Sequence, residues 1–124
     1  MADTIEYFES PSEHNVYKKG SFVHCSVNDM PDPHGHQVIA NLYKEYSNGM
    51  PIYAVKTWLA SSLDDEDKNE EFDAYLDPNL PPGRYFVQID VEGQENKDRV
   101  RSRTFGVCQD NRVRFEQIDS PYCK

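Results

Sequence analysis

Apolar and polar residues alternate along much of this chain with a period of two. In GSFVHCSV (20–27), Val23, Cys25 and Val27 share one face, while Phe22, His24 and Ser26 take the other. HQVIANLY (36–43) repeats the pattern through Val38, Ala40 and Leu42, and IYAVKTWL (52–59) is β-branched and aromatic. Between these two lies EYSNGMP, whose Asn48-Gly49 pair predicts a hairpin because both residues tolerate positive φ. The longest alternation follows Leu80-Pro81-Pro82-Gly83, where proline fixes φ and glycine is expected to let the chain reverse. From there Tyr85, Val87, Ile89 and Val91 point one way and Phe86, Gln88 and Asp90 the other, as in a half-buried antiparallel strand. RSRTFGV brings Phe105 and Val107 inward, and RVRFEQI (112–118) predicts a further strand after the Asp110-Asn111 turn.

Helical periodicity is absent, so seven or eight short strands separated by turns predict an all-β, two-sheet antiparallel sandwich. With 124 residues the chain makes a single domain, 1–124. Its eight Tyr, six Phe and one Trp supply core mass. The segment DDEDKNEE (64–71) carries seven charges in eight residues and predicts an exposed loop.

A net charge of -9 argues against nucleic acid or anionic membrane as a partner, because phosphate binding needs clustered Lys and Arg. The basic run DRVRSR (98–103) is too short and too alternating to change that. No apolar stretch approaches the ~20 residues of a membrane helix, so no membrane insertion is expected. The opening MADTIEYFE fits a cytosolic start and, equally, a mature secreted domain. Three cysteines leave the compartment open: Cys108 and Cys123 would close a short loop if joined, whereas a hairpin between them would carry them apart.

The order of several phrases is informative: Ser10-Pro11, Lys-Gly-Ser-Phe-Val (19–23), the strand QVIANLYK, a long middle loop, LPPGRYFVQI and a closing SRTFGV. Over about residues 6–107 this resembles the N-terminal domain of the fungal KRE/KNH-type cell-wall-synthesis proteins, the Ser-Thr-rich, glycosylphosphatidylinositol-anchored family. The resemblance implies an immunoglobulin- or fibronectin-III-like sandwich, secretion to the cell wall, and association with wall β-glucan without catalytic residues. Segment 108–124, a C-terminal extension, has no counterpart in that pattern, and the family's frequent Trp is replaced by Val27 here.

Candidate sites are few. Tyr43, Tyr46, Tyr53 and Trp58 cluster around the Asn48-Gly49 hairpin, and exposed rings there would stack on sugar faces; the competing role is core packing. On strict alternation Tyr53 and Trp58 fall on opposite faces. His34 and His36 in Pro33-His34-Gly35-His36, with Asp29 and Asp32 nearby, offer imidazole and carboxylate donors for zinc or copper. They fix two ligands, and a third, such as His24, must come from elsewhere. The acidic run offers oxygen ligands from Asp64 to Glu71 but matches no calcium loop. No nucleophile motif or distinguished carboxylate pair is present, which points to a protein that is not an enzyme and needs no cofactor. The expected partner is a cell-wall polysaccharide or a protein. In the protein-partner alternative, a sheet edge or the RVRFEQI strand pairs with a partner's sheet or forms a homodimer.

Overall fold

The computed structural model describes residues 6–63, 69–93 and 99–123. Among these the chain forms nine strands: β1 (Glu6–Tyr7), β2 (Val16–Lys18), β3 (Phe22–Val27), β4 (Val38–Lys44), β5 (Tyr53–Trp58), β6 (Glu70–Tyr75), β7 (Gly83–Val91), β8 (Val100–Arg101) and β9 (Phe105–Cys108). Two single 3-10 turns, Ala60–Leu63 and Phe115–Gln117, complete the elements. The fold is all-β, built from two sheets.

The larger sheet runs β1-β8-β7-β4-β5, with β9 beside the first half of β7 and β2 beyond it. The smaller sheet is the antiparallel pair β3-β6. Pairing is antiparallel except for β1 with β8 and β2 with β9, which are parallel. A purely antiparallel arrangement is therefore not what the chain adopts.

Inner faces follow the alternation. Val23, Cys25 and Val27 of β3 and Phe72 and Ala74 of β6 meet Val38, Ala40 and Leu42 of β4 and Tyr85, Val87, Ile89 and Val91 of β7 in one continuous core. Phe105 and Val107 join it from β9, and Phe8 and Leu76 belong to the same cluster. Removing this apolar surface from water, at roughly 25 cal/mol per Å², is the main term that holds the two sheets together. Cys25 is fully buried there, and burial pushes its thiol up to about 12. It is a small core side chain rather than a reactive thiol.

Three local expectations are corrected. First, β5 carries a bulge opposite Ala40 and Asn41, so the register shifts by one residue along the strand. Tyr53 pairs with inward Leu42 and Trp58 with inward Val38, so both rings turn to the core side instead of opposite faces. Second, the chain reverses at Asp77–Leu80, where Leu80 N–H donates to Asp77 O at 3.1 Å and Asn79 N–H to the Asp77 carboxylate at 2.8 Å. Gly83 already belongs to β7; its lack of a side chain makes room for Lys44, whose Cε would lie 3.0 Å from an added Cβ.

Third, RVRFEQI is not a strand. The disulfide Cys108–Cys123 brings the two ends of the segment to a Cα separation of 4.8 Å, so the chain must turn back on itself. It does so through the Phe115–Gln117 turn, which seats Val113, Phe115 and Ile118 against the disulfide. Ile118 fills the hollow above Gly106, and Arg84 lies over the Phe115 ring at 5.1 Å while bonding Asp119 at 3.0 Å. Of the acidic run, residues 64–68 lie outside the described residues, whereas Glu70 and Glu71 form the start of β6 rather than a loop.

Candidate functional site

The outer face of the larger sheet carries the candidate site. Because side chains alternate, the residues left outside by core-facing β4 and β7 are Ile39, Asn41 and Tyr43, and Phe86, Gln88 and Asp90. Register places them in rows: Tyr43 opposite Phe86, Asn41 opposite Gln88, and Ile39 opposite Asp90. On the next strand Arg101 pairs with Gln88 and extends the middle row. The β4–β5 hairpin, with positive φ at Tyr46, Asn48 and Gly49, rises as a wall at one end. Together these elements line an open groove of about 790 Å³.

Its floor is aromatic at one end and polar at the other. Tyr43 and Phe86 stack with centroids 5.2 Å apart and planes 6° apart, and the Arg101 guanidinium covers the Phe86 ring at 4.5 Å. Arg101 also donates from Nε and Nη2 to Gln88 Oε1, at 3.1 and 2.7 Å. Gln88 Nε2 in turn donates to both oxygens of Asp90, at 3.3 and 3.0 Å, and Arg99 Nε stands 3.8 Å from Asp90 Oδ1. Burial, with the Asp90 charge adding to it, raises the Tyr43 hydroxyl above its ordinary value, so the phenol stays neutral. Such a surface offers ring edges, guanidinium N–H groups and carboxylate lone pairs together, and Tyr46, 92% exposed on the wall, has an open ring face.

The predicted aromatic set therefore divides. Tyr43 and Tyr46 line the groove. Tyr53 lies on the core side, where its hydroxyl donates to Tyr75 O at 2.7 Å and accepts from Asp77 N–H at 3.0 Å, tying β5 to the end of β6. Trp58 is 6% exposed and packs edge-on against Phe72 at 5.3 Å. Neither Tyr53 nor Trp58 presents a face to a ligand in the groove.

His34 and His36 sit in an exposed turn between β3 and β4. Asp32 accepts the His34 backbone N–H at 2.9 Å, with His34 Nδ1 3.9 Å from the same oxygen. Among the described residues no group of three or more His, Cys, Asp or Glu side chains is arranged to hold a metal ion. His24 does not join that turn. It lies on the outer face of the smaller sheet, bonding Asp73 at 3.1 Å through Nδ1 and Glu71 at 3.2 Å through Nε2, and these bonds raise its pKa.

Sequence reasoning alone does not single out Phe86, Gln88, Asp90, Arg99 and Arg101 as site residues. The signal lies in the outward set of β7, which mixes a ring, an amide and a carboxylate, and in Arg99 and Arg101, two residues apart where the chain enters a strand that neighbours it. No protein-family model matches the chain, and no curated protein matches it in sequence. No helix among the described residues is long and apolar enough to cross a membrane.

Proposed function

We propose that this protein is a non-catalytic β-sandwich module that binds a cell-surface polysaccharide through the outer groove of its larger sheet. The observation that carries this reading is the groove itself: an open channel floored by Tyr43, Phe86 and Arg101, with amide and carboxylate groups alongside and the exposed Tyr46 at its rim. Sugars are recognised by this combination of ring contact with C–H faces and fixed polar groups on hydroxyls.

The resemblance to KRE/KNH-type domains supplies the setting, a fungal cell wall, and makes β-glucan the first ligand to test. An immunoglobulin- or fibronectin-III-like sandwich is supported by the Tyr85 hydroxyl, which donates to Pro81 O four residues upstream at the start of β7, as in a tyrosine corner. Secretion is supported by the Cys108–Cys123 disulfide, a bond that persists in oxidising compartments.

The test is a pull-down of the folded domain on insoluble β-1,3/β-1,6-glucan and chitin, with Phe86→Ala and Tyr46→Ala alongside. Retention of the wild type and loss by both variants supports the reading. No retention on any polysaccharide overturns it. A second reading, binding to a protein, is favoured by Phe22 and Tyr75, which touch at 5.1 Å on the outer face of the smaller sheet and are 60% and 41% exposed.

A further inference from the structure

A groove that binds sugar must also choose between charged and uncharged chains, and the side chains on its floor bear on that choice. Among the described residues six charged ones line it: Lys44, Arg99 and Arg101 against Glu45, Asp90 and Glu92, three positive and three negative. The charges of these six cancel, on a protein whose net charge is -9. More telling is where the two innermost charges are directed.

Arginine grips a carboxylate through two parallel N–H groups on one edge of the guanidinium. In Arg101 the Nε–Nη2 edge is already closed by Gln88 Oε1, and one face of the group lies on Phe86. At the other end of the same amide, Nε2 is shared between both oxygens of Asp90, which is itself 9% exposed. One side chain, Gln88, 6% exposed in the middle of the floor, therefore stands between a cation and an anion and bonds both, with Arg99 3.8 Å from the same carboxylate. No buried side-chain nitrogen or oxygen among the described residues lacks a hydrogen bond, so the floor has no buried polar group waiting for an ionic partner. The side-on edge of Arg101 is thereby withdrawn from a ligand, while its Nη1 donors and the second Nη2 hydrogen carry no bond to Gln88.

We propose that Gln88 is the specificity-determining residue of this groove and biases it toward uncharged, hydroxyl-rich glycans by holding the side-on edge of Arg101 and, beside Arg99, the Asp90 carboxylate. This rests on the polysaccharide reading above and deepens it. The consequence is a selectivity that one substitution reverses. With Gln88 replaced by an apolar residue of similar volume, the Nε–Nη2 edge of Arg101 opens to carboxylates.

The experiment measures affinity for soluble neutral β-1,3-glucan and for its carboxymethylated derivative at low and high salt, in the wild type and in Gln88→Met and Gln88→Leu, with thermal melts to check folding. The wild type is expected to bind the neutral polymer better, with little salt dependence. A variant that folds is expected to improve on the carboxymethylated polymer by about tenfold, the worth of one hydrogen-bonded charge pair, and to lose that gain in high salt. Preference of the wild type for the carboxymethylated polymer overturns the proposal, as does an unchanged preference in a folded variant. If neither variant folds, the wild-type comparison alone decides. Binding of neither polymer by the wild type overturns the polysaccharide reading first and this proposal with it, an outcome distinct from binding with the opposite preference.

Discussion

Phe86 and Tyr43 lie ring on ring across β7 and β4, 5.2 Å apart and within 6° of parallel, with Arg101 also stacked on Phe86. The stack fixes the guanidinium over the sheet and gives the groove its floor. Phe86→Ala removes the middle of this stack while leaving the core face of β7 intact. Glucan retention is expected to fall sharply with a loss of stability of only about 1 kcal/mol, the scale of an aromatic pair. Calorimetry of unfolding beside the pull-down separates the two effects.

Trp58 behaves in the opposite way. It is wedged edge-on against Phe72 between the sheets, so Trp58→Ala is expected to cost about 3–5 kcal/mol. Urea melts check this. Under conditions where the variant remains folded, its glucan binding should match the wild type.

Much of this fold is legible in the order of the residues. The nine-residue alternation of β7 names its own core face, and Asn48-Gly49 does take positive φ at the hairpin. What escapes is anything decided by a neighbour. The bulge in β5 depends on how that strand meets Ala40 and Asn41, and it moves Tyr53 to the same side as Trp58. RVRFEQI has strand-like alternation but does not pair as a strand, and a disulfide draws its ends together. The site is the least legible part. Tyr43 and Tyr46 stand out as aromatics near a hairpin, whereas Gln88 and Arg101 acquire meaning only from the β7–β8 register that sets them side by side.

The C-terminal segment leans on a missing side chain. A Cβ on Gly106 would run into Ile118 Cδ1 and stand 3.3 Å from Val16 Cγ2. Gly106→Ala is therefore expected to destabilise by about 1–3 kcal/mol. Ile118→Ala in the same chain should recover part of that loss, and a double-mutant cycle on melting temperatures measures the coupling.

Loss of the Cys108–Cys123 bond opens a loop of 15 residues in sequence separation. The pair Cys108→Ser and Cys123→Ser is expected to lower stability by about 3 kcal/mol. Because this segment packs around Arg84 and Gly106 and not on the row of Phe86 and Gln88, glucan retention should persist at temperatures where the variant is folded.

His24 gives the molecule a pH-dependent contact. Its bonds to Asp73 and then Glu71 raise its folded pKa above the ordinary 6.5. The imidazolium thus contributes stability that is fully present below pH 6.5 and fades as pH rises through the folded value. Melting temperatures of the wild type and His24→Gln, compared from about pH 5 to 8, should differ at the acid end and converge toward the alkaline end. A constant difference would count against the assignment.

Whether sugar occupies the groove is read by titrating isotopically labelled protein with neutral β-1,3-glucan oligosaccharides and following amide and side-chain chemical shifts. Binding in the groove predicts the largest changes at Asn41, Tyr46, Phe86, Gln88 and the Arg101 guanidinium, with Phe22 and Tyr75 undisturbed. Changes centred on Phe22 and Tyr75, or none anywhere at saturating sugar, would contradict it.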